Sequence, residues 1–81
     1  MKKETLEKIF EYVSVPVHGT LSRKLRKDIC CQINEEKVYE NATLFIGQEF
    51  LRITEHTDGK MINTYYDWDG IVSARTIGAV E

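Results

Sequence analysis

The dipeptide Asp58-Gly59 constrains this chain more than any other feature. It stands between two runs rich in strand formers, Phe50 to Glu55 and Met61 to Tyr66. Asp-Gly accepts the left-handed backbone of a two-residue hairpin loop, so the two runs are predicted to pair antiparallel. With that loop fixed, Thr57 faces Lys60, and counting back sets Arg52 opposite Tyr65, Ile53 opposite Thr64 and Leu51 opposite Tyr66. Leu51, Ile53, Ile62 and Tyr66 then share one face, predicted to be buried. Arg52 and Tyr65 fall on the other, where guanidinium and ring can stack.

Upstream the period changes. Leu6, Ile9, Phe10 and Val13 recur at helical spacing with Glu4, Glu7, Lys8 and Glu11 opposite them, which predicts a short amphipathic helix over about 3–12. Glu4 to Lys8 has the favourable orientation of an i, i+4 ion pair. Pro16 cannot lie in a helix interior, so Val13-Ser14-Val15-Pro16-Val17 is read as a strand at an edge or bulge, with Gly19 allowing a bend after it.

Leu21, Leu25, Ile29 and Ile33 recur every four residues, while Ile29, Cys31 and Ile33 also alternate. A loop over Ser22 to Lys27 followed by a strand from Lys27 to Ile33 is one reading; a helix from Ser22 to Glu35, giving an α+β fold, is the alternative. Asn34 to Lys37 reads as a turn, Val38 to Ile46 as one strand ending at Gly47, and Asp67-Trp68-Asp69-Gly70 as a tight turn. Ile71 to Ile77 supplies a last strand, and the tail from Gly78 to Glu81 is expected to fray. These elements predict a mainly β fold. One domain spans 1–81: the helix, then a five- or six-stranded antiparallel small barrel over about 13–77.

A chain of 81 residues holds one core and buries only about 60% of its unfolded surface, so a homo-oligomer is the expected state, with a monomer as the competing one. The net charge of −2 removes the global attraction that nucleic-acid-binding domains show, and leaves only a local patch for that role. No apolar run approaches a membrane span, and Met1-Lys2-Lys3-Glu4 does not open a signal peptide. The adjacent Cys30 and Cys31 can bridge each other only through a strained ring, so reduced thiols and a cytoplasmic location are expected. Alternation with Ile29 and Ile33 selects Cys31 as the buried one.

The segment from Phe10 through Val17 resembles the end of the N-terminal helix and the first strand of the Sm-like barrels of the Hfq and Lsm type. Phe50 through Ala74, a hairpin and an Ile-Val strand after a one-turn break, resembles their last two-strand unit. General SH3-like barrels fit the same pattern equally well. The resemblance implies a small barrel. In that family a Tyr-Lys-His type turn, or an Asp-x-x-x-Asn signature with an Arg-Gly pair, contacts RNA. Here the turn reads Tyr66-Asp67-Trp68-Asp69-Gly70 and is acidic, so the likeness implies the fold without implying RNA binding.

Two residue groups are candidate sites. Phe50, Arg52, Tyr65, Tyr66 and Trp68 form an aromatic set suited to a protein partner, to self-association or to stacked bases, with core packing as the structural account. Alternation puts Tyr66 and Trp68 on one face and Tyr65 on the other, so part of the set at most is exposed. Arg23, Lys24, Arg26 and Lys27 place four cations within five residues, a possible anion or nucleic-acid patch diluted by Asp28, Glu35 and Glu36. His18, His56, Cys30 and Cys31 lack metal-ligand spacing, and Asp67 with Asp69 reads as a solvated turn. The expectation is a non-enzymatic interaction module without cofactor or metal, self-associating and docking a protein; an Sm-like RNA binder using the basic patch is the alternative.

Overall fold

The computed structural model describes residues 1–78 and begins with helix α1, Lys3–Val13, which buries Leu6, Phe10 and Val13 as the periodicity predicts. The ion pair on its surface is Lys3 to Glu7, at 3.8 Å, in place of the expected Glu4 to Lys8. At Ser14 the backbone turns extended, and its N–H and hydroxyl both donate to the Phe10 carbonyl, closing the last turn. The chain passes directly into β1, Ser14–Pro16, which pairs with β2, Ser22–Leu25. Pro16 sits on the outermost strand of its sheet, where the missing N–H costs no ladder bond.

From Ser22 to Ile46 the chain forms one long hairpin that bends in the middle. Its outer parts are β2 and β5, Thr43–Ile46; its inner parts are β3, Ile29–Ile33, and β4, Val38–Tyr39. The turn at Asn34 and Glu35 has φ of 56° and 57°. Cys31 pairs with Tyr39 and Lys24 with Thr43, so residues 25–30 on one arm answer only 40–42 on the other. Unequal arms force a bulge-like bend, taken up at 26–28 and at Asn41, whose φ is 54°. Three expectations fall here. Ser22 to Lys27 is not a loop, since Ser22–Leu25 is strand; Ser22 to Glu35 is not a helix; and Val38 to Ile46 is two strands belonging to two sheets.

Strand β6, Phe50–Thr57, and β7, Lys60–Asp67, meet at Asp58 and Gly59, whose φ of 52° and 74° give the expected two-residue loop. The register is the predicted one, with Arg52 opposite Tyr65, Ile53 opposite Thr64 and Leu51 opposite Tyr66. Leu51 and Ile53 are fully buried and Tyr66 is half-buried, but Ile62 is 43% exposed because it sits near the hairpin tip, beyond the core. A 3₁₀ turn over Trp68–Gly70 follows, then β8, Ala74–Gly78, which starts later than the expected Ile71. Of the tail expected to fray, Gly78 belongs to β8 and 79–81 lie outside the described residues.

The strands form a five-stranded sheet in the order β1-β2-β5-β6-β7 and a three-stranded sheet in the order β4-β3-β8. Both sheets and α1 contribute to one buried cluster that includes Leu6, Phe10, Ile33, Leu44, Leu51 and Ile71. The expected barrel is not closed. Among the described residues β7 is ladder-paired to β6 alone and β8 to β3 alone, so no ladder joins the two sheets; the chain passes between them at the bent hairpin and again through 68–73. Asn34 fastens the open side: its Nδ2 donates to the Gly70 carbonyl at 2.9 Å and its Oδ1 accepts from the Val72 and Ser73 N–H groups at 2.8 and 3.3 Å.

Candidate functional site

Alternation along β6 turns Leu51 and Ile53 into the core and leaves Phe50, Arg52 and Thr54 on the outer face of the five-stranded sheet. Cross-strand pairing extends that face sideways. Arg52 lies opposite Phe45 on β5 and opposite Tyr65 on β7, so the three side chains form a row across neighbouring strands. Phe50 joins the row from the next outward position of β6, with ring centroids 6.0 Å from Phe45 and 5.7 Å from Tyr65. The Arg52 guanidinium carbon stands 5.0 Å over the centre of the Phe45 ring.

Within this cluster Phe45 and Phe50 are half-buried and Tyr65 is 59% exposed; Met61, four residues along β7 toward the hairpin tip, is 62% exposed on the same face. Such apolar exposure on one sheet face is a feature of binding surfaces. Among the described residues Arg52 is held by stacking on Phe45: its Nε is buried without an acceptor, and the side chain enters no ion pair. Phe45 was not among the residues read from the sequence. Thr43-Leu44-Phe45-Ile46 carries three large apolar side chains in succession, and apolar character alone does not show which one faces out.

The structure brings Phe50, Arg52 and Tyr65 together and places Tyr66 and Trp68 elsewhere. Tyr66 points to the opposite face, where its hydroxyl hydrogen-bonds that of the buried Tyr39 at 2.7 Å. Burial and that hydrogen bond push the Tyr66 phenol well above its usual range. Trp68 is 8% exposed, and its Nε1–H donates to the carbonyls of Gly47 and Gln48 at 3.2 and 3.1 Å, tying the 3₁₀ turn to the β5–β6 connection.

The four cations of the basic stretch do not form one surface. Arg23 turns toward the core side under α1 and donates to the Ser14 hydroxyl and carbonyl at 2.8 and 3.0 Å. Lys24 points to the opposite face and reaches the Asn41 carbonyl at 3.2 Å. Arg26 donates to the Tyr12 carbonyl at 2.8 Å, and Lys27 is exposed in the bend.

Open depressions lie outside the aromatic row, one of them, about 190 Å³, between α1 and Arg23. Another of about 630 Å³ is lined by Glu49, Asp67, Trp68, Asp69 and Gly70 and is acidic. A third, about 460 Å³, lies where β4 passes β6 and is lined in part by Lys24, Lys37, Glu55 and His56, with Lys37 paired to Glu55 at 3.1 Å. Cys31 turns inward as alternation predicts, and burial, followed by the neighbouring Cys30, pushes its thiol up to about 11. Among the described residues no three His, Cys, Asp or Glu side chains gather as a metal site, and no helix is long and apolar enough to cross a membrane.

No protein-family model, curated protein or solved structure matches this chain. The functional reading therefore rests on the outer sheet face itself.

Proposed function

We propose that the chain is a non-enzymatic interaction module of the cytoplasm that docks a protein partner on the outer face of its five-stranded sheet and assembles with copies of itself. The observation that carries the docking is the row Phe45, Arg52 and Tyr65 with Phe50 beside it, aromatic surface left uncovered on a regular sheet. Self-association draws support from the sheet edges, among them the eight residues of β7 and the five of β8, which have no partner strand on their outer side among the described residues. The unpaired thiols of Cys30 and Cys31 fit a reducing compartment.

Kinship to Sm-like and SH3-like barrels is part of the same proposal. It draws on the order of elements: a short helix, a strand holding Val15-Pro16, the β6–β7 hairpin, one 3₁₀ turn, and a last strand that returns to pair with β3. An RNA-binding role through Arg23, Lys24, Arg26 and Lys27 has less to draw on, because Arg23 and Lys24 diverge to opposite faces and Arg26 is held by Tyr12. Light scattering on a size-exclusion column tests assembly, with a mass above the 9.4 kDa of one chain expected. A strict monomer at every concentration would count against assembly. Retention of partner binding after Tyr65→Ala would count against the face.

A further inference from the structure

Four arginines occur in the chain, and three are supplied with acceptors. Arg23 donates to Ser14, Arg26 to the Tyr12 carbonyl, and Arg75 to Gln32 and Glu35. Arg52 differs. It stacks on Phe45, but stacking engages the flat face of the guanidinium, whereas its N–H donors lie in the plane and stay free to meet an acceptor. The Nε donor is buried with none, and among the described residues no carboxylate pairs with the side chain. The Phe45 ring covers one face of the guanidinium and lowers the local dielectric there, so a counter-charge brought here is screened less than on an open surface.

Arg52 is the one formal charge within the row of Phe45, Arg52 and Tyr65 with Phe50 beside it. Lys24 also turns outward on this side of the sheet but shares a depression with Glu40 and Glu55, and Asp67 faces outward at the far end opposite Phe50.

Resting on the docking reading above, we propose that Arg52 is the receptor for a carboxylate of an acidic, partly apolar peptide segment in a protein partner. The Asp or Glu of that segment accepts from the guanidinium in its plane, and an adjacent apolar side chain packs on the exposed Tyr65. Nucleic acid is the less suited occupant. A phosphate chain needs a track of cations, and Lys24 is already engaged with Asn41. Continuous base stacking needs parallel rings, whereas Phe50 is tilted 47° from Phe45 and 54° from Tyr65.

The probe is a phage-displayed library of random peptides selected on the full chain and counter-selected on its Tyr65→Ala variant. Peptides dependent on Tyr65 should be enriched in Asp and Glu. For the best binder, replacing its acid by the amide, and Arg52→Met in the protein, should each weaken binding about tenfold, and the two changes together no more than either alone. The peptide-side change leaves the protein untouched, so the test survives if Arg52→Met folds poorly. Arg52→Lys, which keeps the charge but not the planar fork, should recover part of the affinity. Tyr65-dependent peptides without acid enrichment, or additive effects, overturn the carboxylate proposal and leave the docking face standing. Failure to select any Tyr65-dependent peptide overturns both. Tyr65-dependent binding of an oligouridylate, with no peptide selected, assigns the face to nucleic acid and overturns the proposal.

Discussion

Removal of the Asn34 side chain should unlock the open side of the fold. Two of its amide hydrogen bonds are short, 2.9 Å to the Gly70 carbonyl and 2.8 Å from the Val72 N–H, and the third is longer at 3.3 Å. At roughly 1 kcal/mol net for each of the two short bonds, Asn34→Gly should cost about 2 kcal/mol. The residue also holds φ of 56°, a conformation Asn tolerates and Ala does not, so Asn34→Ala should lose roughly 1 kcal/mol more, about 3 kcal/mol in all. In a domain of this size each kcal/mol lowers Tm by about 4–8 °C, so Asn34→Gly should melt roughly 8–16 °C lower and Asn34→Ala lower again. Urea unfolding followed by Trp68 fluorescence, with circular dichroism as the second probe, measures both. A change below about 0.5 kcal/mol for either variant would refute the clamp, and Ala no worse than Gly would refute the backbone part.

Three further outcomes follow from the packing. In Gly47→Ala the new Cβ would stand 2.9 Å from the Phe50 carbonyl oxygen and 3.3 Å from the Phe45 ring, so the β5–β6 turn must shift; a loss of about 1–3 kcal/mol by urea unfolding is expected, with altered packing of Phe45 on Phe50 in aromatic NMR shifts. Tyr66→Phe leaves the buried Tyr39 hydroxyl without its partner and should cost about 1–2 kcal/mol, whereas Tyr65→Ala, at an exposed position, should stay within about 1 kcal/mol of the parent. The Cys31 thiol, raised from 9.0 to about 11, keeps its proton longer in the folded chain than in the unfolded one. Its contribution is therefore intact below pH 9.0 and is lost as pH climbs to about 11. Unfolding midpoints of the parent should fall more steeply than those of Cys31→Ala over that window, and a disulfide reagent at pH 8 should modify Cys30 well before Cys31.

What could be read from the residues depended on how local the determining physics was. Asp58-Gly59 sets the β6–β7 register by turn geometry alone, and helix α1 declares itself through Leu6, Phe10 and Val13. The stretch from Leu21 to Ile33 misleads because its spacing of four is an accident of a bend. Leu25 enters the core from one sheet, Ile33 enters it from the other, and Leu21 is 85% exposed in a loop. Unequal hairpin arms are a non-local property, so the break at Asn41 is invisible in composition. The outer face was half legible: Arg52 with Tyr65 followed from the loop, while Phe45 needed the Ile46 to Leu51 pairing that no turn signal announced. The separation of Arg23 from Lys24 followed once Ser22–Leu25 proved to be strand, since neighbours on a strand face opposite ways.

The recognition surface is tested most directly by ¹⁵N-resolved NMR of the full chain titrated with a peptide it selects. Amide shifts should concentrate on Phe45, Phe50, Arg52 and Tyr65, leaving α1 and the three-stranded sheet still. Shifts centred on Gln32, Arg75 and Ile77, or on the outward side of α1, would place the binding surface elsewhere and contradict the account.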